Sequence, residues 1–390
     1  MRKKIALVNQ RYGLEVNGGS ELHCRQYAER LCEWYDVEVL TTCALDYTTW
    51  ENYYPAGVSE LNGVTVRRFS VTKQRNPKSF DRLSDRVLNV PVSESEEEKW
   101  IDEQGPYCPE CVEYIKEHSE DYSVIIFMTY LYYITARGVA AKLDNAFLLP
   151  TAHDENPIYL KYYHKVFENA KAFVYNTTEE KAMVDKMFKV EGIPYVITGV
   201  GIDAPAPDTL FDAKERYGLG DYILYVGRID ESKGCGTLFK YFEEYKKREG
   251  GDLKLVLVGK SVMDIPERDD IVPLGFVTDE EKFSLIKDCR LLVLASEFES
   301  LSMVVLESMF YGRPVLVNGR CKVLRGHCVR SNAGLYFENY FEFEGALKFL
   351  LERDAEYAVM GENAKKYVAE NYRWDVIMDR LRELIDNFKA

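Results

Sequence analysis

Short apolar runs alternate with helical patterns along most of the chain. The runs that predict strands are residues 5–8, 37–40, 64–69, 124–128 and 172–175 in the first half, and 222–226, 253–258, 271–274, 291–295 and 314–317 in the second. Strands that alternate with helices are typical of parallel sheets with crossover connections. The pattern therefore predicts an α/β protein with two doubly wound domains.

A segment poor in apolar residues separates the two halves. Residues 199–221, GVGIDAPAPDTLFDAKERYGLGD, are rich in Gly, Pro and Asp, which is typical of a domain boundary. We therefore predict domains at 1–200 and 201–370, followed by a separate C-terminal helix at 371–390. Two such domains facing one another would leave a central cleft at the carboxyl ends of their strands, where open α/β sheets bind ligands.

Composition and charge exclude several classes of protein. The 390 residues are 46% hydrophobic and 29% charged, as in ordinary globular proteins, and the net charge of −14 argues against a nucleic-acid partner. Nine cysteines spread over the whole chain favour reduced thiols in a cytoplasmic protein. The uncharged run at 123–136 is far shorter than the roughly 20 apolar residues of a membrane span. Any membrane contact is therefore expected to be peripheral.

Residues 66–89 form a basic segment, with seven Lys and Arg side chains against Asp81 and Asp85. One interpretation is a solvated loop. The other is a patch that meets lipid head groups at the inner face of the membrane, or an acceptor pyrophosphate. The sequence leaves both open.

Two glutamates eight positions apart bracket the stretch ESLSMVVLE. Glu299 follows the apolar run at 291–295 and Glu307 falls in the second turn of the predicted helix. A helix that begins here directs unpaired backbone N–H groups toward an anion, which is a phosphate site. The residues at this helix start are Ser300, Leu301, Ser302 and Met303. A nucleotide sugar has the right shape to place its phosphates there and touch one glutamate at each side.

Two cations follow the strand at 222–226. Arg228 and Lys233 lie five positions apart, at the strand end expected to face the cleft. A guanidinium fork and an ammonium suit a diphosphate leaving group. The string RIDESKG alone is equally consistent with an exposed turn, and the glutamate pair favours the diphosphate site.

The first half offers weaker candidates. Gly18 and Gly19 stand before the first predicted helix, where glycine lets a backbone approach a ligand closely. His153 and Asp154 follow another apolar run, again at the carboxyl end of a strand. Cys108 and Cys111 have the spacing of a zinc knuckle without a second ligand pair. We expect no metal site.

These motifs resemble the family 4 retaining glycosyltransferases of the GT-B fold, over essentially the whole chain. The matching elements are Gly18-Gly19, His153-Asp154, VGRIDESKG, ESLSMVVLESMFYGRPV and ENYRWDVIMDRL. The segments NGRCKVLRGHCVRSNAGLYF, GPYCPE and TYLYYIT are similar to bacterial cell-surface polysaccharide glycosyltransferases. The resemblance implies sugar transfer from a nucleotide-diphosphate donor to a glycan, lipid-linked or small-molecule acceptor. It also implies that no cofactor or catalytic metal takes part. The two domains would be Rossmann-like, with the acceptor on domain 1–200 and the nucleotide sugar on domain 201–370, and the final helix at 371–390 would cross back to the first domain.

The resemblance assigns a role to each matching residue. Arg228 and Lys233 would bind the diphosphate, Glu299 the donor sugar hydroxyls, and Glu307 the ribose. His153 would lie near the donor sugar and Gly19 near the diphosphate. Ser302 stands where many members have glycine.

Two other functions share this architecture. A nucleotide-sugar 2-epimerase would use the same diphosphate site but needs acid and base carboxylates in the first domain. A noncatalytic nucleotide-sugar-binding protein would bind the donor without turnover. A glycosidase is disfavoured, because Glu297, Glu299 and Glu307 lie together beside a predicted anion site and do not flank one bond across a cleft.

Overall fold

The computed structural model describes residues 2–16 and 18–389, which form two compact units. The first unit comprises Met1–Thr198 together with Met378–Ala390, and the second comprises Gly199–Ile377. Each unit is built on one β-sheet with helices packed against it.

The strands are β1 (Lys4–Val8), β2 (Asp36–Thr42), β3 (Gly57–Leu61), β4 (Val64–Phe69), β5 (Val124–Met128), β6 (Ala146–Leu149), β7 (Ala172–Tyr175), β8 (Tyr195–Ile197), β9 (Tyr222–Val226), β10 (Lys254–Val258), β11 (Ile271–Gly275), β12 (Leu291–Leu294), β13 (Val315–Asn318) and β14 (Gly334–Phe337). The α-helices are α1 (Gly19–Leu31), α2 (Pro77–Asn89), α3 (Glu94–Gln104), α4 (Pro109–Glu117), α5 (Tyr133–Ala140), α6 (Tyr162–Asn169), α7 (Thr178–Met187), α8 (Ala213–Tyr217), α9 (Cys235–Glu249), α10 (Asp279–Asp288), α11 (Met303–Phe310), α12 (Lys322–Ser331), α13 (Tyr340–Glu352), α14 (Asp354–Asn371) and α15 (Trp374–Asn387). Four short 3-10 helices lie at Ser119–Asp121, Asn156–Tyr159, Pro207–Thr209 and Glu231–Lys233.

The first sheet has eight strands in the order β3-β4-β2-β1-β5-β6-β7-β8. Neighbouring strands run parallel, except that β3 pairs antiparallel with β4. All five residues of β5 are buried, because helices cover both faces of a parallel sheet and its central strands become continuous apolar runs. The predicted parallel architecture is confirmed for this unit.

The second sheet has six parallel strands in the order β11-β10-β9-β12-β13-β14. The chain leaves β9 at the centre, turns outward to β10 and β11, and returns to the other side at β12. Ligands of doubly wound sheets bind at such a reversal of strand order, beyond the carboxyl ends of the strands. The predicted cations follow β9 and the predicted glutamates follow β12, so both groups leave neighbouring strands at this point.

The basic segment 66–89 is mostly regular structure, since β4 and α2 account for much of it. Arg67 donates to the Glu38 carboxylate at 2.7 Å, and Arg86 lies 2.6 Å from Glu96. The expectation of a solvated loop is therefore wrong for most of the segment. The alternatives of a lipid-binding patch and of an acceptor-pyrophosphate site stay predictions.

The last two helices divide differently from the sequence expectation. The sequence predicted a separate helix from residue 371, whereas α14 continues through Asn371 and α15 begins at Trp374. From Met378 onward the chain groups with the first unit, where Phe388 packs edge-to-face on Phe147 with ring centroids 4.8 Å apart. Among the described helices, none is long and apolar enough to cross a membrane.

Candidate functional site

The turn after β9 is organised by a buried aspartate. The Asp230 carboxylate accepts hydrogen bonds from the Lys233 N–H at 2.9 Å and the Ser232 hydroxyl at 2.7 Å, and it pairs with Arg228. Burial alone would raise the pKa of Asp230, but these hydrogen bonds and the Arg228 charge outweigh it, and the pKa lies below its usual value. Asp230 thus fixes the short helix that carries Lys233.

Gly234 brings this turn against the end of β12. Its φ of 71° is in the left-handed region, and a Cβ on it would lie 2.2 Å from the Ala295 carbonyl oxygen. Only glycine allows this approach. The Asn318 side chain donates to the same carbonyl oxygen at 2.9 Å, which adds β13 to the arrangement.

The close approach places Lys233 in contact with Glu299. The Lys233 Nζ donates to Glu299 Oε1 at 2.8 Å, and the two side chains are 33% and 16% exposed. The sequence predicted a shared site for these residues, which are 66 positions apart. The structure brings their charged groups together at the carboxyl ends of β9 and β12.

Helix α11 begins directly beyond this ion pair. Its N-cap residue is Ser302, with φ 65° and ψ 78°, a left-handed conformation that costs an L-residue with a Cβ about 1–2 kcal/mol. This geometry gives a physical reason for a preference for glycine at this position. The first N–H groups of α11 have no i−4 carbonyl partner within the helix, as at any helix N-terminus.

We expect Ser302→Gly to raise the free energy of unfolding of the second unit by up to about 1 kcal/mol, because it removes the left-handed strain. Denaturant unfolding would measure the gain. Ser300→Gly is the matched control, since Ser300 has no positive φ. Equal or lower stability of Ser302→Gly would contradict the prediction.

A buried histidine supports the loop before α11. His327 Nε2 lies 2.8 Å from the Leu301 carbonyl oxygen and Nδ1 lies 3.1 Å from the Tyr367 hydroxyl. Burial, together with the charge of Arg330, lowers the pKa of His327 to about 4. The ring is therefore neutral, with Nε2–H donating to Leu301. Sequence reasoning missed this residue, because nothing in the local pattern links α12 to the loop.

A lysine on α10 holds the second glutamate. The Lys282 Nζ lies 2.9 Å from Glu307 Oε1 and 3.2 Å from an Asp279 oxygen. The Glu307 side chain is 14% exposed. Burial would lower the pKa of Lys282, but Glu307 and Asp279 raise it above its usual value. Sequence patterns did not predict this contact.

We expect Lys282→Met to weaken nucleotide binding about tenfold, equivalent to about 1.4 kcal/mol, because Glu307 would lose the cation that orients it. Isothermal titration with nucleoside diphosphates would measure the change. Lys287→Met, on the same helix but bonded to the Phe211 carbonyl, should bind like the wild type. Unchanged affinity in Lys282→Met would refute the orienting contact.

In the first unit, a contact within the protein explains why residue 18 is glycine. A Cβ there would lie 2.1 Å from Glu21 Oε2, whereas a Cβ on Gly19 would meet nothing within 4 Å. The Glu21 carboxylate is 5% exposed and pairs with Arg11. The predicted contact of Gly18 and Gly19 with a donor therefore stays a prediction, and Glu21 explains only Gly18.

His153 lies in the loop between β6 and the following 3-10 helix, as predicted. Its Nε2 is 3.3 Å from Glu155 Oε2, and the other oxygen of Glu155 accepts from the Tyr130 hydroxyl at 2.8 Å. The neighbouring Asp154 accepts from the Tyr159 hydroxyl at 2.5 Å. Glu155 and Tyr130, which sequence reasoning missed, thus give the imidazole an internal partner.

The described residues include no group of three His, Cys, Asp or Glu side chains able to hold a metal ion. All nine cysteines are free thiols. Cys108 and Cys111 are both buried, and a hydrogen bond from Cys111 lowers the pKa of Cys108. The two thiols interact with each other at the start of α4.

Residues 208–367 match the family described as glycosyl transferases group 1. The alpha-D-kanosaminyltransferase of Streptomyces kanamyceticus is 30% identical over 213 residues, which are 50% of this chain and 53% of that protein. The chain thus spans about half the length of this relative. An uncharacterized glycosyltransferase of Methanocaldococcus jannaschii is 24% identical, with 96% of this chain and 95% of that protein covered.

A solved structure agrees over the full length. Anabaena HepE, in complex with UDP and glucose, superposes with a TM-score of 0.68 at 14% identity, covering 99% of this chain and 100% of that one. This likeness shows the fold, which is GT-B with two Rossmann-like domains. The family match at residues 208–367 lies within the second unit.

Proposed function

We propose that this chain is a retaining glycosyltransferase that moves a hexose from a nucleotide-diphosphate donor to a glycan, lipid-linked or small-molecule acceptor. The observation that carries the proposal is the contact of Lys233 with Glu299 in front of the N-terminus of α11. A cation, a carboxylate and a helix N-terminus at one strand end suit a diphosphate joined to a hydroxylated sugar. Assembly of cell-surface polysaccharide is the proposed context.

The diphosphate binds to Lys233, Arg228 and the first N–H groups of α11. Asp230 holds the backbone of this turn in place before the donor arrives. Negative charge grows on the diphosphate as the sugar–phosphate bond breaks. Prepositioned cations and N–H groups stabilise that charge without reorganising, which is commonly the largest contribution to catalysis.

Each glutamate uses one oxygen internally and offers the other to the donor. Lys233 occupies Oε1 of Glu299, so Oε2 can accept from a hydroxyl of the transferred sugar. Lys282 occupies Oε1 of Glu307, so Oε2 can accept from the ribose. Glu299 therefore affects the reacting sugar, whereas Glu307 affects donor binding.

The reaction proceeds with retention on one face of the sugar and without a metal. The bond from the anomeric carbon to the diphosphate breaks, and a bond to the acceptor oxygen forms on the same face. The acceptor proton passes to the released diphosphate oxygen. We assign His153 of the first unit the role of hydrogen-bond donor to a sugar hydroxyl.

A thermal-shift panel of nucleoside diphosphates and nucleotide sugars tests the proposal. Uridine is the first base to try, because the Anabaena structure contains UDP. A ligand at 100 times its dissociation constant stabilises by about 2.7 kcal/mol. No stabilisation by any nucleotide would overturn the proposed function.

Incubation of the bound donor without acceptor separates the alternatives. A transferase releases free sugar slowly, an epimerase converts the sugar, and a noncatalytic binder leaves it unchanged. Release of free sugar, followed by transfer in an acceptor panel, is the expected result.

A further inference from the structure

Glu180 is a buried carboxylate in the first unit to which the proposed function gives no role. It lies in the first turn of α7 and is 1% exposed. No lysine or arginine of the described chain pairs with it. Carboxylates are almost never buried so completely unless they are paired, so its partners have a structural purpose.

Both oxygens of Glu180 accept backbone hydrogen bonds from two different loops. Oε1 accepts from the Ala152 N–H at 2.6 Å, and Oε2 accepts from the Asn176 N–H at 2.6 Å. Ala152 follows β6 and Asn176 follows β7, which are neighbouring parallel strands. One carboxylate therefore joins the carboxyl ends of both strands, directly beside His153.

The loop that Glu180 holds has a strained backbone. Thr151 has φ 50°, in the left-handed region that β-branched residues strongly avoid. Such conformations persist only where the surrounding structure fixes them, and they cluster at functional sites. The hydrogen bond to the next residue, Ala152, is a contact able to fix it.

We propose that Glu180 is a positioning residue, which holds the strained loop after β6 so that His153 keeps one fixed orientation for its role in sugar transfer. The inference rests on the proposed function, because it assumes that His153 takes part in the transfer. Glu180 itself touches no substrate in this account. Its effect passes through the Ala152 amide to the next residue.

The chemistry of the carboxyl group agrees with this geometry. Burial raises the pKa of Glu180 to about 8, while the N–H bonds of Asn176 and Ala152 and the charge of His153 oppose the rise. At neutral pH the carboxyl group is therefore largely protonated, and each of its oxygens keeps a lone pair that can accept from one of the two N–H donors. A glutamine would turn an NH2 group toward one of them and leave a donor facing a donor.

Glu180→Gln is the first test. We expect kcat for transfer to fall 10- to 100-fold at unchanged donor KM, because small displacements of an orienting group can cost about 100-fold. The imidazole resonances of His153 should shift. Asp185→Asn is the control, because Asp185 is an exposed carboxylate on the same helix. This variant should change neither kcat nor the His153 resonances.

Relief of the backbone strain at Thr151 distinguishes a positioning role of Glu180 from a purely structural one. Thr151→Gly in the Glu180→Gln background should restore part of kcat and move the His153 resonances back. If Glu180→Gln does not fold, Glu180→Asp keeps a carboxyl group at shorter reach and should show a smaller loss of kcat.

Wild-type kcat and unshifted His153 resonances in the folded Glu180 variants would overturn the positioning role. The failure of the underlying function looks different. In that case His153→Ala would transfer sugar at the wild-type rate, or no nucleotide would bind, whatever the Glu180 variants do to the His153 resonances.

Discussion

We expect Lys233→Ala and Glu299→Ala each to lower kcat for sugar transfer by about 100-fold, equivalent to about 3 kcal/mol, with the fold intact. Lys233 stabilises charge that develops on the diphosphate only as the bond breaks, so its loss acts on the transition state more than on donor binding. Glu299 orients the reacting sugar, and the same reasoning applies to it. Initial rates at saturating donor measure the effect.

The ion pair between the two residues complicates each single variant. Removing Lys233 leaves the Glu299 carboxylate, 16% exposed, without its cation, so part of the loss reflects a displaced glutamate. A double-mutant cycle with Lys233→Met and Glu299→Gln isolates that coupling. If the two residues act as a unit, the double variant will lose little more than either single one.

Lys240→Ala is the matched control, because Lys240 is an exposed lysine on the adjacent helix α9. The Lys240→Ala variant should transfer sugar at the wild-type rate. Circular dichroism and thermal unfolding establish that the variants are folded. Wild-type kcat in either Lys233→Ala or Glu299→Ala would remove that residue from the site.

Most of the strands that sequence patterns predicted are buried on both faces, although β11, a partly exposed edge strand, was predicted as well. β5 is entirely buried and reads as an uninterrupted apolar run. β3 was missed because four of its five residues are exposed, and β8 because it has only three residues at the sheet edge. Edge strands carry few core positions, so periodicity gives them little signal.

Sequence patterns predict only some of the site residues, for a similar reason. Lys233 and Glu299 could be predicted because each follows an apolar strand, and parallel strands end at one edge of a sheet. Lys282 and His327 could not, because each lies on an ordinary amphipathic helix and acts through a contact formed only when helices pack. Residues that hold site residues in place depend on tertiary neighbours, which a single sequence does not show.

We expect the second unit to lose stability in mild acid through His327. Its pKa in the folded protein is about 4, against about 6.5 when unfolded. Between these values the unfolded chain binds a proton that the native ring does not, so the free energy of unfolding falls as the pH falls from 6.5 toward 4. At pH 5 the loss from this residue is about 2 kcal/mol.

A difference measurement isolates this residue from every other titrating group. His327→Gln can still donate to the Leu301 carbonyl and accept from Tyr367, but it cannot gain a proton in this range. The variant should be less stable than the wild type at pH 7. The difference in the free energy of unfolding between the two proteins should become about 2 kcal/mol smaller at pH 5. Urea unfolding at both pH values measures it. Parallel pH profiles would mean that the pKa of His327 is not lowered in the folded protein, and they would contradict the prediction.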